Sequence, residues 1–189
     1  MKRKESYVNN MESINLSSEW KKCLPNIAKM MRRRGYFFSN KMNEFSFLFY
    51  ESQKNIPIIL IFMFFEKVGV DQLKRHFKES FSDNVKDYII IYQKHMTSTC
   101  FRVIKDLFQY KIDLFTLDNF HYDLTSLYYY VPHYKINSEA KKKELLDRYG
   151  NQLPIIQVND PISRYFGYKR GDMIQIQRDK NEISYRICK

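Results

Sequence analysis

Glycine and proline are scarce, with five of each in 189 residues, and cysteine occurs only three times. Cys23, Cys100 and Cys188 are far apart and form no Cys-x-x-Cys pair, which argues against a disulfide framework and against a structural zinc site. The thiols read as free groups in a reducing compartment. His76, His95, His121 and His133 are equally dispersed, so spacing gives no metal centre and no metal is expected. The first residues are polar and charged and lack the apolar core of a secretory signal. The longest apolar run, Ile56 to Phe65, is about half a membrane span and reads instead as a buried strand. No nucleophile–base pair, cofactor motif or small-molecule site stands out, so neither a cofactor nor a membrane partner is expected.

What the chain has in quantity is aromatic residues and positive charge. It carries 15 Tyr and 15 Phe within 44% hydrophobic residues, enough for one large core or two small ones. The net charge is +11 and the isoelectric point about 9.4. Such a balance fits a polyanionic partner, most simply nucleic acid, although a generically basic protein would share it. Residues 131–189 hold 12 basic against 7 acidic side chains, and the remainder 20 against 14, so both halves are basic.

Residues 1–17 read as a mobile tail whose Lys2-Arg3-Lys4 is solvated or touches phosphates. From Ser18 the period turns helical, with Trp20, Leu24, Ile27, Ala28 and Met31 on one face and Gly35 as the stop. Pro25 implies a kink or a later start. Arg32-Arg33-Arg34 occupies the last turn, where cations favour the negative end of the helix dipole; a phosphate contact is the alternative. Phe45–Tyr50, Ile56–Phe65, Tyr88–Tyr92 and Asp113–Leu117 read as strands, and Ile56–Phe65 is apolar on both faces, as a covered central strand should be. Helices are expected over 69–81, with Val70, Leu73, Phe77 and Phe81 on one side, and over 97–110, with Phe101, Ile104, Leu107 and Phe108 inward. Alternation of strands and helices at this spacing implies a partly parallel α/β layer.

The pattern changes at Val131-Pro132, where a domain boundary is expected near 130. Ser138 caps a helix over 139–149 with Leu145, Leu146 and Tyr149 as its apolar stripe, ended by Gly150. Leu153-Pro154 forces extended backbone. Asp160 as N-cap and Pro161 at the first helical position start a short helix that Gly167 ends in left-handed backbone. Lys169-Arg170-Gly171-Asp172 is a basic turn, and the alternating runs Met173–Arg178 and Ile183–Ile187 form a β-hairpin closed by residues 179–182.

Leu-Leu-x-Arg-Tyr at 145–149, Asn-Gln-Leu-Pro at 151–154, Asp-Pro-x-x-Arg-Tyr-Phe-Gly-x-Lys-Arg-Gly at 160–171 and Tyr-Arg at 185–186 form a long ordered string. It resembles the C-terminal assembly domain of the fifth-largest subunit of eukaryotic RNA polymerases, shared by polymerases I, II and III, a domain that corresponds to a small subunit of the archaeal enzyme. Trp20 with Arg34-Gly35-Tyr36, Phe-Phe-x-x-x-x-Gly at 64–69 and Met-Thr-Ser at 96–98 are similar to that family's N-terminal jaw. The resemblance implies an α/β jaw with a restriction-endonuclease-like sheet over 18–130, lacking the nuclease site, and a small α+β assembly domain over 131–189. It departs from the family at Thr97–Cys100, in a shorter loop before Asn151, and at the hairpin tip.

The resemblance implies a non-catalytic polymerase subunit, docked on the largest subunit beside small subunits, with the jaw near downstream duplex DNA. Lys94, His95, Thr97, Ser98 and Arg102 are the expected phosphate-contacting residues, since a helix start offers N–H groups and hydroxyls that bind phosphate without reading bases; hydroxyl capping of the helix is the plain alternative. Pro154, Asp160, Pro161, Arg164, Tyr165, Gly167, Lys169, Arg170 and Gly171 are the expected docking residues, with Tyr165 as an anchor; the alternative is internal stitching. A free-standing nucleic-acid binder leaves the docking-type domain unexplained. A nuclease would need metal-holding acids with a lysine, and the strings Glu19-Trp-Lys21 and Glu139-Ala-Lys141 lie in different domains. The abundance of Lys, Asn, Ile, Phe and Tyr fits an AT-rich genome, of a large DNA virus or of a protist. Nucleus, or viral factory and virion, follow from these alternatives.

Overall fold

The computed structural model describes residues 16–179 and 182–189. Residues 1–15, with the expected Lys2-Arg3-Lys4 contact, and the hairpin-tip residues 180–181 lie outside them. The chain divides into two compact units, up to Tyr122 and from Asp123 onward, a few residues before the Val131-Pro132 position expected from sequence.

The first unit is a mixed α/β layer. Helix α1 (Ser18–Arg33) is followed by strands β1 (Tyr36–Lys41), β2 (Ser46–Glu51), β3 (Pro57–Met63) and β4 (Lys67–Val68), helix α2 (Val70–Glu79), β5 (Asp87–Tyr92), β6 (His95–Met96), helix α3 (Ser98–Asp106) and β7 (Lys111–Thr116). Five strands make one sheet in the order β1-β2-β3-β5-β7. The β1–β2 and β2–β3 pairs are antiparallel, and β3–β5 and β5–β7 are parallel. The apolar run therefore occupies the centre, and six of the seven β3 residues are buried. Two crossovers that step the same way across the sheet put α2 and α3 on one face. Ile59, Ile61, Met63, Tyr88 and Ile90 meet Leu73 and Cys100 there. On the other face Trp20 of α1 packs on Phe62 at 5.0 Å and on Phe64 at 4.9 Å. Leu24, Ile27, Ala28 and Met31 are buried as the helical period requires.

Several expectations are corrected. Helix α1 begins at Ser18 and continues through Pro25, whose ring is exposed at a turn where one lost bond is tolerated. Leu16, assigned to the tail, is buried. Helix α3 ends at Asp106, so Leu107 and Phe108 leave the helical spacing; Phe108 is 89% exposed and Phe101 also points outward. Ile104 packs inward as expected, and Cys100 and Val103 join it. Phe81 lies beyond the end of α2 and is exposed. Strand β1, which no alternation marked, pairs with β2 through a register shift between Phe38 and Asn40.

The second unit contains β8 (His133–Lys135), α4 (Glu139–Tyr149), β9 (Ile155–Ile156), α5 (Pro161–Phe166), β10 (Met173–Gln177) and β11 (Ile183–Cys188). The sheet order is β8-β10-β11-β9, with only β9–β11 parallel. Alternation along β10 sends Met173 into a cluster with Ile136, Leu145 and Leu153, and Ile174 and Ile176 into another with Ile156, Tyr168 and Cys188. Both sheet faces are thus covered. Of the expected α4 stripe only Leu145 is buried; Leu146 and Tyr149 are exposed, because a four-strand sheet covers only a narrow part of the helix. Ile183 is also exposed.

Candidate functional site

Two surfaces carry the residues expected to act, one on each unit. In the first unit, β3 and β5 each resume as a two-residue strand beyond the main sheet. The parallel β4–β6 pair aligns Lys67 with His95 and Val68 with Met96. The His95 N–H donates to the Glu66 carbonyl (3.0 Å) and the Thr97 N–H to the Val68 carbonyl (3.1 Å). These bonds set the starts of α2 and α3 along one edge, after Gly69 and Thr97. At Gly69 the Gln72 side chain closes back on the backbone N–H at 2.6 Å. At Thr97 no side chain caps α3: its hydroxyl turns to the Cys100 sulphur at 3.1 Å, so the hydroxyl-capping alternative is not realised by Thr97.

Lys94, His95, Ser98 and Arg102 are exposed around this start, and Thr97 is half-buried. Lys94 is not a bare cation. Its Nζ donates to Glu66 Oε1 at 2.8 Å, and this bond raises the ammonium pKa and lowers that of the carboxyl. Glu66 is the residue sequence reasoning missed; it lies 28 positions away, and only the β4–β6 pairing brings it across.

In the second unit α5 is built as the sequence dictates. Asp160 Oδ1 accepts the Ile162 N–H at 2.8 Å, and Pro161 sits at the first helical position. Gly167 (φ 69°) ends the helix, with the Gly167 N–H on the Arg164 carbonyl and the Tyr168 N–H on the Ser163 carbonyl. This is a Schellman stop, for which left-handed backbone is required. In the following turn Gly171 (φ 87°) is the second such residue, and Asp172 N–H returns to the Lys169 carbonyl at 3.0 Å.

The end of β11 clamps both flanks of this helix–turn. Before it, Val158 N–H donates to the Lys189 carbonyl (3.0 Å) and Lys189 N–H to that of Ile156 (3.0 Å). After it, Gly171 N–H donates to the Cys188 carbonyl (2.9 Å) and Cys188 N–H to that of Asp172 (2.8 Å). Pro154 is exposed while its carbonyl accepts the Ile187 N–H at 2.9 Å. Asp172 fixes the turn a second time: Oδ2 accepts the Lys169 N–H and Oδ1 the Lys135 ammonium, both at 2.8 Å. Lys135 is the contribution that sequence reasoning missed, since strand β8 is too short to show a period.

On this frame Pro161, Arg164, Lys169, Arg170 and Gly171 are exposed and Asp160 and Gly167 half-buried. Tyr165, expected as an anchor, is only 5% exposed, with its ring against Phe166 at 5.2 Å. It supports the helix from beneath.

Residues 125–188 match the family model described as RNA polymerase Rpb5, C-terminal domain. The chain is 31% identical over 142 residues to the DNA-directed RNA polymerases I, II, and III subunit RPABC1 of Caenorhabditis elegans, covering 69% of this chain and 67% of that one. The chain belongs to the RNA polymerase Rpb5 family. The C. briggsae subunit of the same name gives the same figures. The likeness to the rpabc1 subunit of Dictyostelium discoideum runs further, at 29% identity over 94% of this chain and all of the relative. The matched Rpb5 C-terminal segment contains the clamped helix–turn and its Asp172–Lys135 support.

Proposed function

We infer that this Rpb5 family member acts as a non-catalytic subunit of a multisubunit DNA-directed RNA polymerase, that its second unit docks on the largest subunit, and that its first unit forms part of a jaw beside downstream duplex DNA. The observation that carries the docking half is the doubly clamped α5 and turn. Exposed Arg164, Lys169 and Arg170 project from backbone fixed at both ends, while Tyr165 is committed to the interior. Guanidinium groups held this way offer directional bonds to carboxylates or carbonyls of a large partner. Pro154, Asp160, Pro161, Gly167 and Gly171 set the shape of the surface.

The jaw half is supported by the cationic edge around the α3 start. Lys94, His95, Ser98 and Arg102 with the opening N–H groups suit phosphate oxygens. The mixed sheet and same-face crossovers of the first unit support the restriction-endonuclease-like sheet that the resemblance implies. The compartment follows the polymerase: the nucleus for a cellular enzyme, a viral factory and virion for a viral one.

Docking is tested with Arg164→Ala and Arg170→Glu in the full chain. Each variant keeps its melting temperature nearly unchanged yet weakens assembly with the polymerase, by about 2 kcal/mol or more if the arginine is a hot spot. Unchanged assembly, or unfolding of both variants, would show that these arginines stitch their own domain.

A further inference from the structure

Folding gathers none of the dispersed histidines into a group of its own, but it places two carboxylates around one of them. Glu19 comes from the first turn of α1, and Asp118 and His121 from the 3₁₀ turn that follows β7 and its end. One ligand atom of each lies within 4.8 Å of the other two. His121 Nε2 is 3.2 Å from Asp118 Oδ1 and 3.8 Å from Glu19 Oε1. All three residues belong to the first unit.

The other side of the ring orients it. Cys23 Sγ lies 3.6 Å from His121 Nδ1, and its S–H is directed to the Leu117 carbonyl at 3.9 Å. With a cation bound, the ring proton would sit on Nδ1, beside the Cys23 sulphur, and the Nε2 lone pair would face the ion. Nε2 and one oxygen of each carboxylate converge on one point; without an ion an Nε2–H donates to Asp118 Oδ1 at 3.2 Å, and a cation can take the place of that proton. Gln93 Nε2 donates to the second Glu19 oxygen at 3.3 Å, steadying that carboxylate. This is the outer support that metal-binding groups commonly have.

We propose that Glu19, Asp118 and His121 form a binding site for a divalent transition cation of the zinc class. An imidazole with two carboxylates suits zinc better than calcium or magnesium, which prefer all-oxygen sets. Donors on a tetrahedral ion at about 2.0–2.1 Å stand roughly 3.3 Å apart; the His121–Asp118 pair at 3.2 Å already meets this, and the exposed Glu19 carboxylate at 3.8 Å from Nε2 would move in to complete the set. Three protein ligands leave a fourth position for water. The ion staples the amino-terminal turn of α1 to the end of β7, nearly a hundred residues away. The site does not depend on the polymerase role.

The test uses the full chain, stripped with a chelator and titrated with Zn²⁺ by calorimetry, with Co²⁺ as a spectroscopic stand-in. One equivalent binds, the melting temperature rises with free Zn²⁺ as linkage requires, and Co²⁺ shows visible ligand-field bands without a sulphur-to-cobalt charge-transfer band. His121→Ala and Asp118→Asn each weaken binding at least tenfold, since even outer-sphere partners are worth about 10–100-fold. Absence of binding, or binding unchanged in both variants, overturns the proposal. So does a His121→Ala melting loss that is the same with and without zinc, which would mean that His121 is a protonated clamp between the two acids.

Discussion

Arg34 illustrates how one side chain can leave the role its neighbours suggest. In sequence it ends a run of three arginines, where dipole capping or phosphate contact is the natural expectation. In the fold its guanidinium is 3% exposed, 2.8 Å from Asp113 on β7 and 5.5 Å from the Phe115 ring centroid. Pairing makes the burial tolerable, and removing the carboxylate takes the ion-pair charge away from a buried guanidinium. Asp113→Ala should therefore destabilise the first unit by about 3 kcal/mol, at the lower end of the cost of breaking a buried pair because Asp113 keeps partial access to water. Urea unfolding checks this; a loss under about 1 kcal/mol would mean that water already compensates Arg34. His133 gives the second unit a pH dependence. Burial lowers its imidazole pKa below 6.5, against the Val131 carbonyl it faces. The folded state then binds the proton less readily than the unfolded chain. The corresponding stability is fully present above about 6.5 and is lost as pH falls through the folded pKa. Tm followed from pH 8 to 5 should fall in the wild type, and His133→Gln should flatten that part of the curve; a parallel curve would assign the loss to other groups.

At the scale of elements, what sequence makes legible is what local chemistry decides. Asp160-Pro161 and Gly167 specify α5 to the residue, because a cap, a fixed φ and a left-handed stop act within their own turn. The Ile56–Phe65 run specifies a central strand because no exposed strand would tolerate two apolar faces. Helix α3 is legible at its start and not at its end, since Phe101 and Phe108 satisfy the helical period while exposed. Strand β8 is held by pairing with the distant β10, and β1 by a hairpin pairing with β2 whose register shift breaks any alternation, so neither shows in its own local pattern. The same holds for the Glu66–Lys94 pair on the candidate DNA edge. That pair competes with phosphate for one ammonium, so it sets a prediction of its own. In anisotropy titrations of the full chain on duplex DNA, Arg102→Ala should lower the salt slope by about one, equally on all sequences. Glu66→Gln should strengthen binding by releasing Lys94. A base preference that disappears with Arg102, or weaker binding in Glu66→Gln, would contradict a phosphate-directed edge.

The whole molecule joins two basic units with separate cores, each presenting a surface set by backbone hydrogen bonds rather than by loops alone. Membership in the Rpb5 family rests on the matched 125–188 segment and on relatives that align across both units. In the described residues no helix is long and apolar enough to cross a membrane. On the proposed function, the clamped helix–turn would serve a protein partner and the cationic strand edge a polyanion. Polymerase membership is read out most simply by affinity purification of the tagged full chain from cells or virions that contain its polymerase, with quantitative mass spectrometry of the eluate. The expected eluate holds the largest polymerase subunit and the small subunits at fixed stoichiometry with the tagged chain, stable to salt that removes DNA, and loses them together in the Arg164→Ala, Arg170→Glu double variant. Recovery of nucleic acid and the chain without polymerase subunits would contradict that membership and leave a free-standing basic binder.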